Sequence, residues 1–169
     1  VSTGHIDSGQ PYAYDWLAHM VRTTKAGQID LPAYGFRLDL PEDLDGRLLA
    51  LMNFLSWYKR RSDGEQTLIL EQLELEWDMP RSGSHPDCKP MTWSQLREMH
   101  AAGMSIGAHG VHHRMLAKLP PDRLRAEVEE CRARIGRELG AEALAISYPV
   151  GNESAYDGRV IDAVRQAGF

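Results

Sequence analysis

Apolar positions recur along this chain at two spacings, and the changes between them mark out its elements. Trp16, Leu17, Met20 and Val21 fall at helical intervals, predicting a helix over residues 14–26 that Gly27 would cap. Tyr34, Phe36, Leu38 and Leu40 occupy every second position, which predicts a short hairpin within residues 28–42. From Pro41 the period lengthens again. Leu44, Leu48, Leu49, Met52, Leu55 and Trp57 form an apolar stripe, with Asp43 placed to cap the helix that carries it. The polar run SDGE at 62–65 breaks that helix, and a second follows through Leu68, Leu70, Leu73 and Leu75, ending before Pro80. Residues 80–90, rich in Pro, Ser and Gly, read as a loop.

The second half alternates more regularly. Thr92-Trp93-Ser94-Gln95 has the capping-box form and opens a helix through Leu96 and Met99 that Gly103 closes. Residues 105–108 suit a short buried strand. Pro120 and Pro121 open a long helix to about residue 139, with Leu124, Val128, Cys131, Ile135 and Leu139 on one face and Gly140 as its cap. Residues 143–148 suit a second buried strand, and residues 159–167 a last helix. The order helix, strand, helix, strand, helix predicts an α/β fold with a parallel sheet or barrel covered by helices. In such folds chemistry gathers in the loops after the strands. Two loops stand there: the histidine-rich run SIGAHGVHH at 105–113 and YPVG at 148–151.

Composition narrows the function classes. A chain of 169 residues with 43% hydrophobic and 25% charged positions is about one globular domain. A formal charge of −5 excludes the basic footprint of a nucleic-acid binder, and a neutral or polar substrate suits it better than a polyanion. No apolar run reaches the roughly 18 residues of a membrane span. Cys88 and Cys131 lie far apart without C-x-x-C spacing, and their pairing depends on the compartment. The chain starts at Val1, not Met, so a cut or processed end is expected. Trp16, Trp57, Tyr58 and Trp77 suit a core at helical spacing better than a sugar-binding groove, and the acidic run 71–78 suits a solvated helix face.

His109 and His113 are four residues apart. On one helical turn both imidazoles would face one side and could reach a single divalent cation, while His112 offers a competing pair with His109. Gly110 lets the backbone turn tightly between them. Spacing alone leaves open a polar surface turn that holds no metal. His19 reads as a helix-edge residue. A structural zinc module joining His85 and Cys88 to His112 and His113 is disfavoured by its mixed spacing.

The context of these residues resembles a known family. The run SIGAHGVHHRML at 105–116 is similar to the second motif of the polysaccharide deacetylases (the NodB-homology, carbohydrate esterase family 4 group), whose two histidines bind metal. Upstream, MTWSQLREM at 91–99 with AAGM at 101–104 resembles the helix and turn before that motif. Downstream, ISYPVG at 146–151, Tyr156-Asp157 and VIDAVRQAGF at 160–169 resemble the family's "YPyG" loop and the helix after it. VSTG at 1–4 resembles the end of the strand following the first motif. The likeness is strongest over residues 91–169 and weak through 28–88, which reads as a helical insertion within one domain spanning residues 1–169.

The resemblance implies a distorted (β/α) barrel, incomplete at both ends, that hydrolyses acetyl groups, N-acetyl above all, on a polysaccharide or oligosaccharide. It implies His109 and His113 as ligands of a divalent metal, zinc above others. It implies Val150, with Pro149 and Tyr148, in the loop whose backbone N–H meets the developing oxyanion. The family's "T-F-D-D-G" motif, source of the third ligand and the general base, is missing, as is its later "L-x-H" motif. Ser147 stands where many members have an arginine, Gly110 where they have Ser or Thr, and Arg114 where they have Pro. The chain is therefore expected to be an internal portion of a deacetylase, itself inactive, acting in the intact domain on an acetylated carbohydrate. The alternative is a non-catalytic relative that binds carbohydrate or scaffolds an assembly.

Overall fold

A computed structural model describes residues 1–83 and 85–169; within the expected loop 80–90, Ser84 lies outside the described residues. The chain divides into two compact units, one of residues 11–89 and the other of residues 1–10 with 90–169.

The unit of residues 11–89 holds helix α1 (Ala13–Thr23), strands β1 (Gln28–Leu31) and β2 (Phe36–Asp39), and helices α2 (Leu44–Tyr58) and α3 (Asp63–Glu76). The hairpin expected from the period-two pattern is present. β1 and β2 pair antiparallel from Gln28 opposite Asp39 to Leu31 opposite Phe36, which turns Ile29 and Leu31 into the core. α1 stops earlier than Gly27 would have it. Thr24 turns extended at ψ 148°, and the Arg47 guanidinium donates to the carbonyls of Val21 and Thr24 at 2.8 and 2.9 Å. The orphan carbonyls of a helix end are thus satisfied by a side chain from α2.

Asp43 caps α2 by accepting from the Gly46 N–H at 2.7 Å, and the break at 62–65 doubles as a capping box between Ser62 and Glu65. The apolar stripe of α2 is corrected by the structure. Ala50, Leu51, Phe54 and Tyr58 are its buried residues, whereas Leu44, Leu48, Leu49 and Met52 are exposed. α2 is apolar on two faces, so periodicity could not choose between them. Trp16 and Tyr58 lie in the core, and Trp57 and Trp77 pack against it, as expected of aromatic residues at helical spacing.

The other unit holds α4 (Trp93–Ala101), α5 (Pro121–Leu139) and α6 (Gly158–Gln166). Thr92 and Gln95 form the expected capping box, and Gly140 caps α5. Ile6, Trp93, Leu96, Ala108, Cys131 and Ile135 make one core cluster; Leu116, Leu124, Val128, Val160 and Val164 make another. Cys88 and Cys131 are free thiols, one in each unit.

The two strands expected over 105–108 and 143–148 run side by side and parallel, but they join through a single bridge of Ala108 with Ile146. Ala108 donates to the Ala145 carbonyl at 2.8 Å, and Ser147 donates to the Ala108 carbonyl at 3.0 Å. Another rung of a parallel ladder would need the Gly110 N–H and the N–H of residue 149. Gly110 turns away at φ 74°, and Pro149 has no N–H to give. Residues 1–4 lie along the other side of the same segment, with Thr3 and Gly4 donating to the carbonyls of Gly110 and Val111 at 3.1 and 2.8 Å. A side chain at Gly4 would stand 2.8 Å from the Val111 carbonyl oxygen, so this approach requires glycine. The result is a helix-rich α/β arrangement whose assigned strands, among the described residues, are β1 and β2.

Candidate functional site

Where the segment of Ala108 leaves its parallel neighbour, the chain turns sharply and presents the histidines. No helix carries them. His109 to His113 form an irregular turn in which Gly110 and His113 are both left-handed, at φ 74° and 58°. That turn, not an i,i+4 helical face, brings the rings of His109 and His113 to a centroid separation of 4.8 Å. Two imidazoles on one tetrahedral zinc ion stand roughly 5 Å apart between ring centres, given metal–nitrogen bonds of about 2.0–2.1 Å.

The tautomer of His109 follows from its partner. Its Nδ1 lies 2.8 Å from the Ser147 backbone carbonyl oxygen, which can only accept, so Nδ1 carries the proton. Nε2 is then left with its lone pair, the state a metal ligand needs, with the other nitrogen tied to a carbonyl. The Ser147 hydroxyl also sits 2.8 Å from the same nitrogen. Ser147, the departure from the family's arginine, thus orients His109 instead. Burial pushes the His109 pKa down, against the opposing pull of the Ser147 carbonyl, which keeps the ring neutral.

His112 is committed elsewhere. Its Nδ1 pairs with Glu127 Oε1 at 2.6 Å, while Glu127 Oε2 accepts from the backbone N–H groups of Val111 and His112 at 2.7 and 2.9 Å. One buried carboxylate on α5 therefore fixes the whole turn. A side chain at Gly110 would come 2.9 Å from Glu127 Oε2, so glycine there makes room for this anchor. The hydrogen bond that His112 donates to Glu127 raises the His112 pKa above its ordinary value. Burial pushes the Glu127 carboxyl up, but the His112 ring and the two backbone donors outweigh it and hold it low. Sequence reading missed Glu127. The signal was there: it falls three residues after Leu124 and four before Cys131, on the buried stripe of α5.

The second loop begins where Ser147 leaves its bridge. Tyr148 packs against Tyr156 with ring centroids 5.0 Å apart and planes 30° apart, Pro149 is buried, and Val150 and Gly151 are consecutive left-handed residues at φ 72° and 69°. A left-handed valine is sterically costly, as is His113 in the same region, and such residues concentrate where local geometry serves function. The bond from His109 to Ser147 ties the two loops together. A cavity of about 520 Å³ lies at the opposite ends of the two segments, lined by Ser105, Ile106, Leu144 and Ala145. It is mostly apolar, with His100 and Glu142 in its wall, and neither His109 nor His113 lines it.

The tautomer of His109 and the spacing of the two rings fit a divalent cation. Among the described residues no third His, Cys, Asp or Glu closes on them. The model of the polysaccharide deacetylase family matches residues 71–169, and the chain belongs to that family. No curated protein matches the chain. Among solved structures, a Streptococcus pyogenes deacetylase, PplD, in complex with acetate, is similar at 21% identity and a TM-score of 0.44 over 60% of this chain. The match covers 45% of that deacetylase, so this chain spans less than half its length.

Proposed function

We propose that this chain is the central portion of a metal-dependent deacetylase domain acting on N-acetyl groups of a polysaccharide or oligosaccharide. Family membership supports acetyl-group hydrolysis as the class of activity. The observation that carries the metal reading is the pairing of His109 Nδ1 with the Ser147 carbonyl, which leaves Nε2 open beside the His113 ring. When bound, a zinc-class cation would polarise the acetyl carbonyl and acidify a water. His109 and His113 hold that cation, Ser147 orients His109, and Glu127 holds the turn. The Val150 N–H is the donor for the developing oxyanion, with Pro149 and Tyr148 fixing its loop. In the intact domain these loops crown a distorted (β/α) barrel in which residues 28–88 form a helical insertion.

Acetate release from acetylated chito-oligosaccharides tests the proposal. The 169-residue chain, lacking the Asp-Asp motif, is expected to release none above a His109→Ala control. A longer gene product that carries an Asp-Asp motif before Val1 is expected to be active and to lose at least about 100-fold in kcat/KM on His109→Ala or His113→Ala. Full carbohydrate binding by that product without acetate release would instead favour the non-catalytic relative.

A further inference from the structure

Three donors in the unit of residues 11–89 have no part in the deacetylase reading. His19 lies on α1, and His85 precedes and Cys88 ends a single 3-10 turn, Pro86–Cys88, that packs on the same helix. Their ligand atoms all lie within 4.8 Å of one another. The His19 and His85 rings approach to 3.9 Å between centroids, and Trp16 stacks on His19 at 5.1 Å. The turn is shaped for this: His85 Nδ1 accepts from the Asp87 N–H at 3.3 Å, and Cys88 donates back to the His85 carbonyl at 3.0 Å through its backbone. Cys88 is buried, its thiol 3.7 Å from the Asp15 carbonyl.

We propose that His19, His85 and Cys88 form a second metal site, for a divalent cation of the zinc class, that pins the turn Pro86–Cys88 to α1. Two imidazoles and a thiolate are the donors that borderline-soft cations prefer over calcium or magnesium. On one tetrahedral zinc, nitrogen and sulfur donors stand roughly 3.3–3.6 Å apart and imidazole centres roughly 5 Å, so the donor atoms close in while the two rings, 3.9 Å apart without metal, open by about 1 Å. The carboxylates of Asp15 and Asp87 border the cluster and act on Cys88, supplying negative charge around the cation. Burial, then the neighbouring His85, keeps His19 neutral and ready to bind. Burial, then Asp15 and Asp87, keeps the metal-free thiol protonated. As the metal–sulfur bond forms, the thiol proton passes to solvent. Binding through His85 Nε2 moves the ring proton to Nδ1, which then gives up the Asp87 N–H and turns toward Asp87 Oδ2, 3.9 Å away without metal.

Cobalt(II) titration of the full, reduced chain separates this site from the His109–His113 pair, because only this one contains sulfur. One equivalent of cobalt is expected to bring a near-ultraviolet thiolate-to-cobalt charge-transfer band. Cys88→Ser is expected to abolish the band, and His19→Gln to weaken the affinity by about 100-fold while leaving the metal-free helical circular dichroism unchanged. Cys131→Ser and His109→Ala are expected to leave the band intact. Absence of the band in the reduced wild type, its survival in Cys88→Ser, its loss in Cys131→Ser, or unchanged affinity in His19→Gln would each overturn the site.

Discussion

Glu127 does more for the candidate site than any other single residue outside it. The residue is 6% exposed, and its carboxylate satisfies two backbone N–H groups and one ring nitrogen of the turn that holds both histidines. Its folded pKa lies below the ordinary value, so its contribution to stability is present above that value and is lost as pH falls through the folded pKa. His112 shifts the other way, so its contribution is full below about 6.5 and is lost as pH rises through its folded pKa. The pair therefore stabilises most between the two, near pH 5–6. In chelator, His112→Ala is expected to destabilise the chain more at pH 5.5 than at pH 8.5, read by urea denaturation at each pH. An equal cost at both would show that the pair does not form. Glu127→Ala is expected to cost about 2–4 kcal/mol, because it strands two buried donors. The sequence showed the histidines and the glycine between them. It did not show which histidine is committed to an ion pair, since that choice is made by a carboxylate 15 residues further on.

Elements were legible where local chemistry decides them and illegible where partners do. The capping box at Thr92, the Asp43 cap and the hairpin within 28–42 follow from short-range hydrogen bonding and are legible directly, while SDGE at 62–65, legible as a break, proves to hold a capping box of the same kind. The buried face of α2 was not, because Leu44, Leu48, Leu49 and Met52 present as good a stripe as Ala50, Leu51, Phe54 and Tyr58. Packing of β2 and α1 selects the second face. Phe54→Ala is accordingly expected to cost about 3–5 kcal/mol. Met52→Ala, at a side chain 68% exposed, is expected to stay within about 0.5 kcal/mol. Thermal denaturation of the two variants decides between the faces, and a reversed order would restore the stripe read from the sequence. The strands over 105–108 and 143–148 shrank to one bridge for an equally local reason, a left-handed Gly110 opposite a proline that cannot donate.

At the scale of the molecule, the chain belongs to the polysaccharide deacetylases, and the matched region, residues 71–169, contains both loops of the candidate site. The motif resemblance carried this reading; composition and charge only kept it open. What the alternating pattern conveyed was position, placing both loops after parallel segments, and the structure joins them through His109 and Ser147. The central claim is that this junction prepares His109 and His113, and not His112, for one cation. Zinc titration followed by imidazole nitrogen NMR measures it directly, in a Cys88→Ser background that removes the sulfur site. The account predicts that His109 and His113 move together at one zinc concentration, with the change at Nε2 of His109, while His112 holds its Glu127-paired signature. Movement of His112 in place of His113, or separate transitions for His109 and His113, would contradict it.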